Sequence, residues 1–124
     1  MNARPEITAK IAIIGLGYVG LPLAVEFGKK RETLGFDINF HRVEELNSGT
    51  DSTLEVAPDN LAKASQLSFT SDIEDIKQCG IYILTVPTPI DEANRPYLTP
   101  LRRASEAVAS VLSQGDIVIY ESTV

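Results

Sequence analysis

Apolar residues fall along this chain in short dense runs, separated by stretches with a helical period. Residues 10–14 close on Ile11, Ala12, Ile13 and Ile14 just before a glycine, and so short a continuous apolar run reads as a strand buried on both faces. Val19, Leu23 and Phe27 then stand four apart with Ala24 alongside. That spacing predicts a helix with this stripe toward the core, and Pro22 fits its first turn, where no backbone donor is needed.

Residues 33–36 predict a second strand ended by Asp37, after which Val43 and Leu46 mark a helix closed by Asn47, Ser48 and Gly49. Residues 50–58 are polar and irregular; 59–64 read as a short helix feeding a third strand at 67–70. Ser71 and Glu74 have capping-box spacing ahead of Ile73 and Ile76, and Gly80 is a stop before the apolar run 81–86, the fourth strand. Thr99 followed by Pro100 opens another helix, in which Leu101, Ala104, Val108 and Val111 recur at amphipathic spacing until Gly115. Residues 117–120 form a fifth strand. Strands alternating with helical connections predict an α/β domain over residues 1–124: a doubly wound parallel sheet in the order 3-2-1-4-5.

The chain has 124 residues, enough for one core, and its balance of 44% hydrophobic to 23% charged residues is that of a folded globular protein. A net charge of −6 argues against a nucleic-acid surface, since the basic run Lys29-Lys30-Arg31 reads as a solvated helix end. Gly15, Gly17 and Gly20 break the first apolar stretch well short of a membrane span, and the polar start with Pro5 lacks the apolar middle of a secretory signal. No membrane association is expected, and the cytoplasm is the expected compartment. Cys79 has no second cysteine to pair with, and His41 and Cys79 stand apart, so no metal site is expected.

Gly15-Leu16-Gly17-Tyr18-Val19-Gly20 fits G-x-G-x-x-G. The pattern alone is weak, but here it follows a strand and opens a helix. Asp37 stands seventeen residues beyond its last glycine, at the end of the second strand, which completes the dinucleotide fingerprint of a Rossmann-type fold. Gly15 permits the tight turn, Gly17 lets the backbone approach a pyrophosphate, and Gly20 allows helix and strand to pack closely. The helix amides then face the phosphates. Asp37 is expected to accept hydrogen bonds from the adenosine ribose hydroxyls and to repel a 2′-phosphate, which favours NAD over NADP. Arg42 has two readings: a group flanking the adenine or ribose, able to soften the rejection of NADP, or a solvated helix residue.

Ligands of open parallel sheets bind beyond the carboxyl ends of the strands. Two segments lie there: Thr85-Val86-Pro87-Thr88-Pro89, whose prolines fix a loop that presents the Thr88 hydroxyl to a cofactor, and Glu121-Ser122-Thr123. A rigid surface turn and an ordinary strand end are the plain alternatives. Cys79 precedes the fourth strand and belongs to the opposite edge of the sheet, so it is read as a small buried thiol and not as a nucleophile. His41 reads as a surface histidine.

With these residues in place, the sequence closely resembles the amino-terminal domain of the UDP-glucose/GDP-mannose 6-dehydrogenases over nearly its whole length. The resemblance is carried by Ile13-Ile14-Gly15-Leu16-Gly17-Tyr18-Val19-Gly20-Leu21-Pro22, Gly35-Phe36-Asp37-Ile38-Asn39, Val86-Pro87-Thr88-Pro89-Ile90-Asp91, Leu98-Thr99-Pro100-Leu101 and Glu121-Ser122-Thr123-Val124. The Pro-Thr-Pro-Ile form and the Tyr120-to-Val124 ending are most similar to the branch that oxidises UDP-N-acetylhexosamines for surface-polysaccharide synthesis.

The resemblance implies a two-step, four-electron oxidation of a sugar C6 alcohol to a carboxylate, with two NAD reduced and a cysteine thioester between. It carries Tyr18, Val19, Asp37, Arg42 and Thr88 over as cofactor contacts. Thr123 carries over as a residue near both nicotinamide and reacting centre, its hydroxyl orienting the catalytic water. It also implies that the nucleophilic cysteine, its lysine and asparagine partners, the UDP-sugar domain and the main homodimer helix lie beyond Val124. On that reading this is an inactive fragment, truncated before the sixth strand with an exposed sheet edge.

Two rivals share the glycine loop. A regulatory NAD-sensing domain of a potassium-transport system leaves Pro87-Thr88-Pro89 and Glu121-Ser122-Thr123 unexplained. A methyltransferase's ligand has no pyrophosphate for the helix amides.

Overall fold

Strand β1 (Ile11–Ile14) is buried at all four positions, as a continuous apolar run demands when both faces of a sheet are covered. The computed structural model describes residues 9–90 and 92–121. Beside β1 lie β2 (Thr33–Phe36) and β4 (Ile81–Leu84), with β3 (Leu67–Thr70) and β5 (Ile117–Tyr120) at the edges, giving the parallel order β3-β2-β1-β4-β5. The doubly wound sheet expected from the sequence is thus observed.

Side-chain alternation along β1 divides the core. Ile11 and Ile13 pack on one face with Leu21, Ala24 and Val25 of α1 (Gly20–Gly28), Leu46 of α2 (Phe40–Asn47) and Leu61 of α3 (Pro58–Lys63). Ala12 and Ile14 pack on the other with Ile76 of a 3₁₀ helix (Ile73–Gln78) and with Ala104 and Val108 of α4 (Thr99–Ala109).

The strands are in phase. Ile14 is level with Phe36 and Leu84, Phe36 with Thr70, and Leu84 with Tyr120. The residues that follow them, Gly15, Asp37, Ser71, Thr85 and Glu121, therefore form a row along one edge. Backbone bonds continue one residue past the strands: Gly15 N–H donates to Phe36 O (2.8 Å), Thr85 N–H to Ile14 O (2.9 Å) and Glu121 N–H to Leu84 O (2.9 Å).

Local expectations are corrected at four places. The stripe of α1 is met in part: Ala24 is buried and Leu23 and Phe27 pack half-buried against the core, but Val19 is 53% exposed and the most buried positions are Gly20, Leu21, Ala24, Val25 and Gly28. Its sequence is apolar nearly all round, so spacing alone did not single out the inward face. The cap before Ile73 is Asp72 and not Ser71; its carboxylate accepts the Glu74 N–H at 3.0 Å and opens a 3₁₀ helix. Strand β4 ends at Leu84, two residues before the end of the apolar run, because the Thr85 hydroxyl turns back onto the Ile14 and Gly15 carbonyls. Finally, α4 stops at Ala109, and Gly115 (φ +92°) serves the turn into β5, where the Asp116 carboxylate accepts the Ser113 N–H at 2.8 Å.

Cys79 is buried at the end of the 3₁₀ helix, at the amino-terminal edge of the sheet and away from Gly15. Burial pushes its thiol up to about 11, so at neutral pH it is neither exposed nor ionised. The native chain is expected to resist a thiol-specific disulfide reagent at pH 8 and to react once unfolded in urea. Stoichiometric reaction within seconds in the native state would contradict this placement.

Candidate cofactor-binding site

In the order β3-β2-β1-β4-β5 the chain winds outward from β1 on one side, then crosses to β4 on the other. The loops after β1 and β4 consequently part, and a crevice opens between them. A cleft of about 320 Å³ lies there, lined by Gly17, Tyr18, Val19, Thr85, Val86, Pro87, Thr88, Pro89 and Glu121. The structure thus brings together the glycine turn, the Pro-Thr-Pro loop and the first residue after β5. Thr123 lies outside the described residues.

Each glycine of the turn answers a different steric demand. Gly15 has φ +99°, a region disfavoured for side-chain-bearing residues. Gly20 stands where helix and strand ends touch, and a Cβ there would lie 1.7 Å from the Gly15 carbonyl oxygen and 2.4 Å from Thr85 Oγ1. At Gly17, by contrast, a Cβ would meet nothing within 4 Å. Packing does not require a glycine at 17, and the open space lies in the cleft wall.

Asp37, half-buried after β2, is held by two backbone donors: Leu16 N–H to one carboxylate oxygen and Asn39 N–H to the other, each at 2.9 Å. The Asn39 side chain in turn accepts from His41 N–H (3.1 Å) and Arg42 N–H (3.4 Å), capping α2. Asp37 thereby ties the β2 end to the glycine turn. The His41 side chain is exposed, with Nδ1 3.9 Å from Glu44.

Arg42 is not a solvated helix residue. It is only 8% exposed, and its guanidinium runs behind the glycine turn, where Nε donates to Leu16 O at 2.8 Å. Nη1 donates to Asp51 (2.8 Å) and Glu45 (3.0 Å), whereas Nη2 is buried without a hydrogen-bond partner. Burial disfavours the charge, but Asp51 and Glu45 more than offset this, and the guanidinium pKa is raised.

Sequence reasoning missed Asp51, the hub of the 50–58 segment. Its carboxylate accepts the backbone N–H groups of Thr53, Glu55 and Val56 and the Thr53 hydroxyl, besides Arg42. The signal was there in Asp51-Ser52-Thr53, a run suited to an Asx turn. Burial works against ionisation, but the bonds from Thr53, Arg42 and Val56 prevail and hold the pKa at about 2. A carboxylate depressed on folding contributes stability above its unfolded pKa, and the contribution disappears as pH falls through the folded value. Thermal stability should therefore drop between about pH 4 and pH 2, with roughly 2 kcal/mol traceable to Asp51. Melting curves of the wild type and Asp51→Asn should converge on acidification. Parallel curves across that window would show that Asp51 contributes no such linkage.

A parallel doubly wound sheet with a glycine turn at its switch point, an aspartate after β2 and a helix amino terminus facing the crevice is a dinucleotide-binding domain. The model of the UDP-glucose/GDP-mannose dehydrogenase family, NAD binding domain, matches residues 9–124, and the chain belongs to that family as its NAD-binding domain. It is 63% identical over 115 residues to UDP-N-acetyl-D-glucosamine 6-dehydrogenase of Pseudomonas aeruginosa, covering 93% of this chain. It is 51% identical over 114 residues to protein CapL of Staphylococcus aureus, covering 92% of this chain. The chain spans 27% of the length of each of these curated relatives. Among solved structures, the UDP-D-ManNAc dehydrogenase of Pyrococcus horikoshii superposes with a TM-score of 0.84 at 33% identity, over 93% of this chain and 28% of that one. Nothing in these likenesses supports the potassium-transport or methyltransferase readings. Among the described residues no helix is long and apolar enough to cross a membrane, and no three metal-ligating side chains cluster.

Proposed function

We propose that this chain holds NAD for an oxidoreductase that converts the C6 alcohol of a UDP-sugar, a UDP-N-acetylhexosamine, into the uronic acid in two NAD-dependent steps for surface-polysaccharide synthesis. The observation that carries the reading is the cleft at the switch point, with open space at Gly17 and a fixed Asp37 carboxylate at its flank. The 63% identity to a protein named for UDP-N-acetyl-D-glucosamine favours the N-acetylhexosamine.

Gly15, Gly17 and Gly20 shape the turn that receives the pyrophosphate, with Tyr18 and Val19 on its exposed rim. Asp37 takes the adenosine ribose hydroxyls, and Thr88 meets the cofactor from the β4 loop. Arg42 serves from behind by holding Leu16 O. When bound, NAD would supply the hydride acceptor for each step, and the family resemblance assigns to Thr123 the orienting of water. Cys79 lies at the wrong edge to form a thioester with a sugar in this cleft, so the nucleophile and most of the UDP-sugar contacts belong to other parts of a longer, cytoplasmic, homodimeric enzyme, in which residues 1–124 are the NAD-binding domain.

Calorimetric titration with NAD and then NADP, on wild type and Asp37→Ala, tests the site. NAD should bind saturably and more tightly than NADP, and Asp37→Ala should weaken NAD by about tenfold, the loss of charge-assisted hydrogen bonds. A folded wild type that takes up no NAD would overturn the assignment.

A further inference from the structure

The charges behind the glycine turn do not balance. Arg42 brings one positive charge; Glu45 and Asp51 both contact its Nη1, and Asp37 joins them through Leu16, whose N–H it accepts while Arg42 Nε takes the Leu16 carbonyl. Arg42 stands five residues after Asp37, in the first turn of α2. In folds of this kind an arginine near the ribose is the device that accommodates a 2′-phosphate. Here that arginine is present, but its donors face inward and its charge is more than cancelled.

Asp51 is built to keep it there. Its side chain is wholly buried, with 0% exposure, and three backbone amides of residues 53–56 fix it beside the guanidinium. Arg42 Nη2, without a partner, shows that the arrangement sets where the cation sits and does not satisfy every donor. Released from Asp51, a guanidinium with an unsatisfied nitrogen needs another anion, and a 2′-phosphate carries close to two negative charges at neutral pH.

Resting on the reading of this cleft as an NAD site, we infer that Asp51, assisted by Glu45, determines cofactor specificity by holding Arg42 away from the ribose 2′ position, leaving Asp37 unopposed to exclude NADP. Asp51 is a positioning residue: it touches no cofactor and acts through Arg42.

The test is the ratio of NADP to NAD dissociation constants, which a merely structural defect, weakening both cofactors alike, leaves unmoved. Asp51→Asn should lower the ratio by about tenfold and Glu45→Gln by about threefold, since removing one nearby charge changes the potential at a partly buried site by that order. Adding Arg42→Met to either variant should restore the wild-type ratio. Glu45 is partly exposed, so its variant carries the test if Asp51→Asn does not fold. A wild type that selects NAD, with a ratio unchanged in folded variants or shifted regardless of Arg42→Met, overturns this inference alone. A folded wild type that binds neither cofactor overturns the cleft assignment and this inference with it.

Discussion

Gly20→Ala is expected to cost about 3 kcal/mol or more and to lower the melting midpoint by about 10 °C, read by circular dichroism. The added Cβ would overlap the Gly15 carbonyl oxygen at 1.7 Å and crowd Thr85 Oγ1 at 2.4 Å. Neither neighbour can withdraw cheaply. Gly15 O belongs to a turn whose N–H is bonded to Phe36 O, and the Thr85 hydroxyl shares its proton between the Ile14 and Gly15 carbonyls while its N–H is held by Ile14 O. Relief requires α1 to lift from the ends of β1 and β4, which uncovers Leu21 and Ala24, both fully buried. A loss of that size is a large fraction of the 5–15 kcal/mol that stabilises a typical domain. A Gly20→Ala chain melting within about 2 °C of wild type would show that helix and strand ends are free to separate.

The sequence made the sheet legible for a physical reason. Central strands buried on both faces, at 11–14 and 81–84, are continuous apolar runs, and residues 33–36 and the partly exposed edge strands 67–70 and 117–120 are also observed as read. Where the pattern failed, the deciding contact was distant along the chain or the periodicity was degenerate. The face of α1 is only partly legible, Leu23, Ala24 and Phe27 packing on the core while Val19 does not, because its sequence GLPLAVEFG is apolar nearly throughout; what sets the helix close to β3 is Gly28, whose missing side chain lets Leu67 approach to 2.5 Å of a would-be Cβ. No local signal links residues 28 and 67. Asp51 is hidden likewise: a polar, irregular stretch carries no period, and its pairing with Arg42 appears only once α2 has turned back toward the loop. The glycine turn and Asp37 were legible because their requirements are local, whereas the support behind them is built from chain-distant groups. Exposure on β5, with Ile117 and Tyr120 more than half exposed, agrees with its place at the sheet edge.

Gly17→Ala should give the opposite signature to Gly20→Ala: a melting midpoint within about 2 °C of wild type, with NAD affinity reduced about a hundredfold. At Gly17 the φ angle is not in the left-handed region, and an added methyl meets no protein atom within 4 Å, so folding has nothing to lose. Gly17 lines the cleft between the glycine turn and the Pro-Thr-Pro loop, so the methyl is expected to intrude where a pyrophosphate must come within hydrogen-bond reach of the helix amides. One carbon inserted there separates donor from acceptor and leaves the amides without the anion they face. Calorimetry with NAD and a thermal melt on the same sample separate the two effects. Unchanged affinity in Gly17→Ala would mean that NAD phosphates do not pass over residue 17, whereas lost stability would mean that this glycine serves packing after all. Since Gly17 and Gly20 lie three residues apart in one turn and each gains the same methyl, composition and propensity cannot account for a divergence between them. Only the direction of each Cα–Cβ bond, one into open space beside the cleft and one toward Gly15 and Thr85, distinguishes a residue reserved for ligand from one reserved for the fold.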